Sequence, residues 1–104
     1  MTIVGSGGIR FAKFYRSKRF VKEVQKLDAK LRVRTLERIE ALLAHPFPSG
    51  IGFEKLGGYS DPDIYTIHVT GNYKVSLHAV QENDGGLSAF IRRVGTHNEI
   101  DRCP

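Results

Sequence analysis

Two runs of alternating apolar and polar residues, separated by a short turn, constrain the fold of this chain more than any other feature. Their apolar members are Tyr65, Ile67 and Val69 in the first run and Tyr73, Val75, Leu77 and Ala79 in the second. Thr70-Gly71-Asn72 between them is a turn signal. Because residues two apart in a strand point to the same side, the pattern predicts an antiparallel hairpin with one apolar face.

The opposite face of this hairpin is polar. It receives Thr66, His68 and Thr70 from one strand and Lys74, Ser76 and His78 from the other. Helices must cover the apolar face, so we expect the polar face to stay uncovered. Two imidazoles and one ammonium would then converge on the open side of a sheet.

A long helical region precedes the hairpin. Ser17 is a suitable N-cap, and apolar residues then recur at spacings of three and four: Phe20, Val24, Leu27, Leu31, Leu36, Ile39 and Leu43. Asp28 can cap a second helix, so the pattern fits either a hairpin of two helices or one long bent helix. Pro46 ends the region, because proline disfavours helical geometry in the residue before it.

Further strands flank these elements. Ile9 to Tyr15 alternates loosely and predicts a first strand, and Leu87 to Val94 predicts a last strand after the turn Asn83-Asp84-Gly85-Gly86. A short strand near Phe53 to Leu56 would shorten the connection between the helices and the hairpin. The order predicts an α+β fold in which an N-terminal strand, an α-helical hairpin and a three-stranded antiparallel meander form one sheet.

The length of 104 residues allows one domain, because a second hydrophobic core would need more sequence. We assign residues 9–104 to it and residues 1–8, which hold three glycines, to a flexible N-terminal extension. No stretch approaches the roughly 18 apolar residues of a membrane span and no signal peptide is evident, which favours a cytoplasmic protein without membrane contact. The single cysteine, Cys103, excludes an internal disulfide and a cysteine metal site, and we predict neither metal nor cofactor.

Positive charge is concentrated in one part of the chain. The segment from Arg10 to Arg38 contains eleven lysines and arginines against three acidic residues, whereas the net charge of the whole chain is +5. Such a surface indicates binding of a nucleic acid or an acidic protein partner. A solvated helix face without a partner is the alternative interpretation of the same charges.

The candidate catalytic residues are a histidine directly after the last strand and two residues of the polar hairpin face. Cleavage of RNA without a metal needs a base for the 2′-hydroxyl proton, an acid for the leaving oxygen and a cation for the phosphate charge. His97 and His68 can supply the proton transfers and Lys74 the cation. We expect Gly95 to let the backbone turn before His97. Capping or solvated surface residues are the alternative interpretation of all three candidates.

Five further residues are candidates for substrate binding: Lys55, Tyr73, Arg92, Arg93 and His78. Cations bind phosphates, and an aromatic ring can stack on a base. Core or rim aromatics and solvated charges are the alternative interpretation.

Several short segments recur in the order typical of a known family. They are Phe14-Tyr15-Arg16-Ser17, Phe20, Lys26-Leu27, Lys55-Leu56-Gly57-Gly58, Ile64-Tyr65, Tyr73-Lys74-Val75 and Arg93-Val94-Gly95-Thr96-His97-Asn98-Glu99-Ile100. Together they resemble the RelE/ParE toxin superfamily, and the Gly-Thr-His segment is most similar to its YafQ/YoeB-like ribonuclease toxins. The resemblance covers residues 9–102 and implies a RelE-like α-helical hairpin on an antiparallel sheet, ribosome-dependent cutting of messenger RNA, and inhibition by a cognate antitoxin.

The resemblance also implies roles for single residues. His97 matches the acid/base histidine of those branches, and His68 falls where YafQ-like toxins have a histidine. Lys74 stands where many relatives have a phosphate-binding arginine. A lysine ammonium binds a phosphate as a single charge, whereas an arginine guanidinium can bind two of its oxygens at once. Asp101-Arg102 stands where an aromatic residue often follows the histidine.

The leading hypothesis is therefore a toxin of a type II toxin-antitoxin system, a metal-independent, ribosome-dependent mRNA endoribonuclease that inhibits translation. A ParE-like toxin that poisons DNA gyrase by binding is one alternative, and a non-catalytic RNA-binding or partner-binding module is another. As partners we expect messenger RNA on the ribosome, with contacts to ribosomal RNA, and an acidic antitoxin that covers the surface from Arg10 to Arg38.

Overall fold

The computed structural model of the chain describes residues 9–56 and 60–104. Its elements in chain order are β1 (Phe11–Arg16), α1 (Lys18–Gln25), α2 (Ala29–Glu40), a 3-10 turn (Ala41–Leu43), β2 (Glu54–Lys55), β3 (Ile64–His68), β4 (Tyr73–Gln81), β5 (Leu87–Thr96) and α3 (His97–Arg102). The predicted extension of residues 1–8 and the Gly57-Gly58 segment lie outside the described residues. Within them, no helix has the length and apolarity that crossing a membrane requires.

One sheet of five strands contains all the strands of the described chain, in the order β1-β5-β4-β3-β2. The predicted α+β class with a single sheet is confirmed, and the β3-β4-β5 meander is antiparallel as expected. The arrangement differs in one detail, because β1 pairs in parallel with β5. The short strand expected near Phe53 to Leu56 is present as β2, which pairs with β3. Alternation along the sequence predicts strands and adjacent hairpins, but it carries no local signal for the pairing of distant strands.

The helical region consists of two helices, which resolves the alternative that the sequence left open. Ser17 caps α1 by accepting a hydrogen bond from the Phe20 N–H at 3.0 Å, and Asp28 caps α2 by accepting one from the Leu31 N–H at 2.9 Å. The Ser17 hydroxyl also donates to the Arg92 carbonyl of β5 at 2.8 Å. This one side chain therefore starts a helix and fixes it to the sheet.

The main core lies between the two long helices and the apolar face of the sheet. The predicted face is confirmed, since its members are either buried or packed against the buried cluster. The fully buried large side chains on the helical side include Phe20, Ile39 and Leu42, and those on the sheet include Ile67, Leu77 and Ile91. Burial of each such side chain contributes about 1.5 to 3 kcal/mol to the stability of the fold.

The polar face of the hairpin is not open, contrary to expectation. Thr66 and Ser76 are 0% exposed and Lys74 is 6% exposed. Helix α3 folds back over the ends of β4 and β5 on this side and buries Ile100. The expectation was wrong because alternation along the hairpin carries no signal for α3, which begins at the capping box of Thr96 and Glu99.

Replacement of Ser17 by alanine tests the double role of its hydroxyl. We expect Ser17→Ala to lower the free energy of unfolding by about 1 to 2 kcal/mol, because it removes both a helix cap and a hydrogen bond to β5. Urea denaturation followed by circular dichroism measures the change. Ser49→Ala, at an exposed serine of the loop before β2, is the matched control and should leave the midpoint unchanged. Equal midpoints for all three proteins would contradict the double role.

Candidate active site

Two imidazoles meet at one end of the polar face. His68 is the last residue of β3, and His97 is the first residue of α3. Their ring centroids are 5.2 Å apart, with the ring planes tilted by 54°. The His97 N–H donates to the Asn72 carbonyl at 3.0 Å, which ties the start of α3 to the β3-β4 turn.

Helix α3 delivers His97 to this position through its capping box. The Glu99 carboxylate accepts hydrogen bonds from the N–H of Thr96 at 2.9 Å and from its hydroxyl at 3.1 Å. These bonds, the backbone one first, hold the pKa of Glu99 below its usual range. The cap therefore fixes the direction in which the helix leaves β5.

Gly95 serves close packing and not the turn that the sequence suggested. It lies inside β5, and its φ is outside the left-handed region, because the described glycines with positive φ are Gly50, Gly52 and Gly85. A Cβ atom at Gly95 would lie 2.9 Å from the Glu99 carboxylate. Glycine at this position thus leaves room for the Glu99 carboxylate where α3 approaches the strand.

The backbone of His68 is hydrogen-bonded to two other parts of the chain, the loop before β2 and helix α2. Its N–H donates to the Ile51 carbonyl at 2.9 Å, and its carbonyl accepts from the Arg38 guanidinium of α2 at 2.9 Å. Arg38 also donates to the Gly50 carbonyl. Gly52 packs directly on the imidazole, since a Cβ atom there would lie 2.8 Å from two ring atoms of His68.

Two arginines of the basic segment donate hydrogen bonds to backbone carbonyl groups elsewhere in the fold. Arg38 binds the carbonyl groups described above, and Arg34 donates to the Val69 carbonyl at 3.1 Å. Burial and the neighbouring Arg34 charge lower the pKa of Arg38 from its usual range. The other ten lysines and arginines of the segment, Arg34 included, are exposed, so nearly the whole sequence count contributes to the positive surface.

Lys74 lies next to these two histidines, and its ammonium has a partner that the sequence did not predict. It is the cross-strand neighbour of His68, which places their Cβ atoms about 5 Å apart on the same face. Its ammonium donates to the Asp101 carboxylate of α3 at 2.7 Å. We refer to His68, Lys74 and His97 as the His-Lys site; the structure brings these three predicted catalytic residues together.

Three buried polar atoms on this face have no hydrogen-bond partner within the described chain. They are the Thr66 hydroxyl, the Ser76 hydroxyl and Nε2 of His97. Ser76 is two residues from Lys74 along β4 and directly opposite Thr66. Buried polar groups are nearly always hydrogen-bonded, so these three atoms are unusual in being buried without a partner among the described residues.

None of the five predicted substrate-binding residues forms a side-chain hydrogen bond with the His-Lys site in the described chain, although strand register puts Arg93 on the same face, opposite Ser76. Lys55 and Tyr73 pair across strands with Tyr65 and Thr96. Strand register puts Lys55 with Tyr65 on the helix-covered face, and Tyr73 lines a groove of about 380 Å³ beside the start of α2.

The other three predicted substrate-binding residues have partners elsewhere. Arg92 donates to the Pro104 carbonyl at 3.1 Å, and Arg93 donates to the Glu23 carboxylate at 2.7 Å and to the Cys103 carbonyl at 2.9 Å. His78 lies four residues beyond Lys74 along β4, or about 13 Å away. Arg93 therefore holds α1 through Glu23, and both Arg92 and Arg93 hold the C-terminal residues.

One group of described side chains has the composition of a metal site. Single ligand atoms of Asp61, Asp63 and His78 lie within 4.8 Å of one another. His78 Nε2 and the Asp61 carboxylate are 3.2 Å apart, and the Asp61 pKa is lowered first by the Asp63 N–H and then by His78. The geometry is that of a hydrogen-bonded histidine-aspartate pair at the far end of β4 from the His-Lys site.

Sequence reasoning missed three residues that shape the site: Asp101, Gly52 and Arg38. Asp101 follows His97 by one helical turn, and the Thr96-x-x-Glu99 signature of a capping box could have revealed that turn. The roles of Gly52 and Arg38 depend on contacts with His68 across the fold, for which the sequence has no local signal.

Comparison with known proteins identifies the class of fold. No protein-family model and no curated protein matches the sequence. Solved structures do match: the chain has the fold of the RelE/ParE toxins, as the resemblance in its sequence implied.

Three of the similar structures illustrate the match. A YoeB/ParE toxin from Agrobacterium tumefaciens superposes with a TM-score of 0.65 at 15% identity, over 82% of this chain and 98% of that one. The RelB-RelE antitoxin-toxin complex from Methanococcus jannaschii gives a TM-score of 0.58 at 24% identity, over 82% and 92%. The DinJ-YafQ toxin-antitoxin complex from E. coli gives 0.58 at 22%, over 84% and 93%.

Gly52 provides a test of how His68 is positioned. Gly52→Ala should displace the His68 ring, because the added methyl group meets it at 2.8 Å and the φ of +69° is strained for alanine. Gly50→Ala is the matched control, since its φ of +83° imposes similar strain but nothing lies within 4 Å. We expect each variant to lose about 1 kcal/mol or more of stability, and only Gly52→Ala to shift the His68 imidazole signals in NMR spectra. Identical imidazole spectra for the two variants would contradict this role.

Proposed function

We propose that this chain is a toxin of a type II toxin-antitoxin system that cleaves RNA at the His-Lys site. The observation that carries the proposal is the meeting of two imidazoles, 5.2 Å apart, beside an ammonium on one face of the sheet. The RelE/ParE toxin fold supports it, since solved structures of that fold include RelE, YoeB/ParE and YafQ toxins.

The proposed reaction draws its base, acid and cation from side chains. One imidazole removes the proton of the 2′-hydroxyl, whose oxygen attacks the phosphorus atom. The bond from phosphorus to the 5′-oxygen breaks, and the second imidazole protonates that oxygen. Lys74 stabilises the negative charge that develops on the phosphate oxygens. His97 and His68 are suited to these steps because imidazole exchanges protons near neutral pH.

The proposed substrate is messenger RNA on the ribosome, and the proposed inhibitor is an acidic antitoxin. The exposed lysines and arginines of β1, α1 and the start of α2 form a surface that suits either polyanion. Two of the similar structures named above are toxin-antitoxin complexes, which supports an antitoxin as the partner.

Binding of an acidic partner to this surface should weaken as the salt concentration rises, and salt-independent binding would contradict the proposal.

A non-catalytic binding module is the second candidate. The ion pair between Lys74 and Asp101 favours it, because a cation that is already neutralised stabilises a phosphate less. Burial of His97 Nε2 points the same way. Cleavage assays on the purified protein distinguish the two candidates.

His97→Ala provides the central test. Addition of the purified protein to a translating extract should produce new 5′ ends on the message, in register with codons. We expect His97→Ala to reduce the rate of cleavage by about a hundredfold or more, since it removes a proton-transfer group. Primer extension measures the cuts, and growth arrest on expression provides a second readout.

His45→Ala is the matched control for this substitution. It also removes one imidazole, from an exposed position in the loop after α2 and outside the His-Lys site, and should cleave like the unmodified protein. Undiminished cleavage by His97→Ala would remove His97 from the mechanism. Absence of cleavage by every variant, together with DNA damage in expressing cells, would favour a gyrase poison.

A further inference from the structure

The contact between Asp101 and Lys74 is the feature of the His-Lys site that RNA cleavage does not explain. The carboxylate lies 2.7 Å from the ammonium, and the Lys74 side chain is 8% exposed whereas that of Asp101 is 48% exposed. Within the described chain, Asp101 is the one hydrogen-bond partner of this ammonium. Asp101 is therefore the solvent-exposed member of this ion pair.

Helix α3 places this carboxylate as firmly as it places His97. The two residues are four apart in the helix, so their side chains project from the same face, one turn from each other. The capping box fixes the start of the helix, and the fully buried Ile100 fixes its rotation against the sheet. The catalytic imidazole and the carboxylate thus reach the site on one rigid element.

A carboxylate at this position mimics the ligand that Lys74 is proposed to bind. Carboxylate and phosphate oxygens both form short, charge-assisted hydrogen bonds with an ammonium. A phosphate that approaches Lys74 must displace Asp101 or share the ammonium with it, and at such short distances two negative charges repel each other. The half-exposed Asp101 side chain can rotate into solvent without unfolding α3.

We propose that Asp101 is a built-in competitor for the anion-binding position of Lys74, so that an RNA phosphate binds the His-Lys site only by displacing it. This inference rests on the proposed function and adds a regulatory element to the same site. Asp101 sets a threshold: a phosphate held by many other contacts displaces it, and a weakly held phosphate does not. Selectivity for substrate presented on a large surface follows from that threshold.

Asp101→Asn tests the competition directly. The probe is a short, fluorescent 2′-O-methyl RNA, which has no free 2′-hydroxyl and cannot be cleaved, and anisotropy at fixed salt measures its dissociation constant. We expect Asp101→Asn to bind about tenfold more tightly than the unmodified protein, the factor that corresponds to one charge-assisted hydrogen bond of typical strength. Asp101→Glu keeps the charge and should bind like the unmodified protein.

Two controls isolate the effect of Asp101 on Lys74. Glu37→Gln removes one negative charge from an exposed position on α2 and should change affinity less than twofold, because general electrostatics falls off with distance. In a Lys74→Met background, Asp101→Asn should not tighten RNA binding, since there is no ammonium for which the carboxylate and the phosphate compete. Circular dichroism confirms that each variant is folded before it is titrated.

A second probe separates failure of this inference from failure of the proposed function. Inorganic pyrophosphate, followed by the rise in melting temperature, should stabilise Asp101→Asn more than the unmodified protein or Glu37→Gln. RNA binding that Asp101→Asn does not tighten would overturn the inference and leave the proposed function in place. The absence of RNA binding by every variant, with the pyrophosphate effect retained, would overturn the function and leave the competition. No gain for Asp101→Asn with either probe would overturn the competition outright.

Discussion

Helix α3 lies close against β5 at Gly95, and the positions of His97 and Asp101 depend on that approach. The carboxylate of Glu99 occupies the space that a Cβ atom would fill, and from there it caps the helix through Thr96. The same seating buries Ile100 and points His97 and Asp101 toward β4. The capping box, the burial of Ile100 and the close approach at Gly95 together determine where an imidazole and a carboxylate meet the sheet.

The second imidazole is held independently of the first. His68 depends on α2 through Arg38, on the loop carbonyl of Ile51 and on the space left by Gly52. His97 depends on α3 and on the β3-β4 turn. Two separate parts of the chain therefore fix the relative position of the rings, which is the kind of preorganisation that proton transfer requires. Arg38 is part of this support even though its charge suggested a role in binding a partner.

The fold was largely predictable from the sequence, because its signals are local. Ser17 and Asp28 cap their helices, and the hairpin of β3 and β4 follows its alternation. The three catalytic candidates converge because two of them are cross-strand neighbours and the third follows a strand. The parallel pairing of β1 with β5 was not predictable, since it joins segments far apart in sequence. The five substrate-binding residues were harder to predict, because neither residue type nor position along a strand reveals that Arg93 binds Glu23.

The edge position of β1 has a consequence for the behaviour of the protein in solution. β1 has β5 as its one neighbour among the described strands, so its other side presents backbone groups to any extended chain. Lys13 and Arg16 project from this strand and are exposed. A second copy docking edge to edge would bring four such cations into proximity, and their repulsion opposes growth of the sheet from molecule to molecule. Like charges on an outermost strand thereby guard against fibrous self-association.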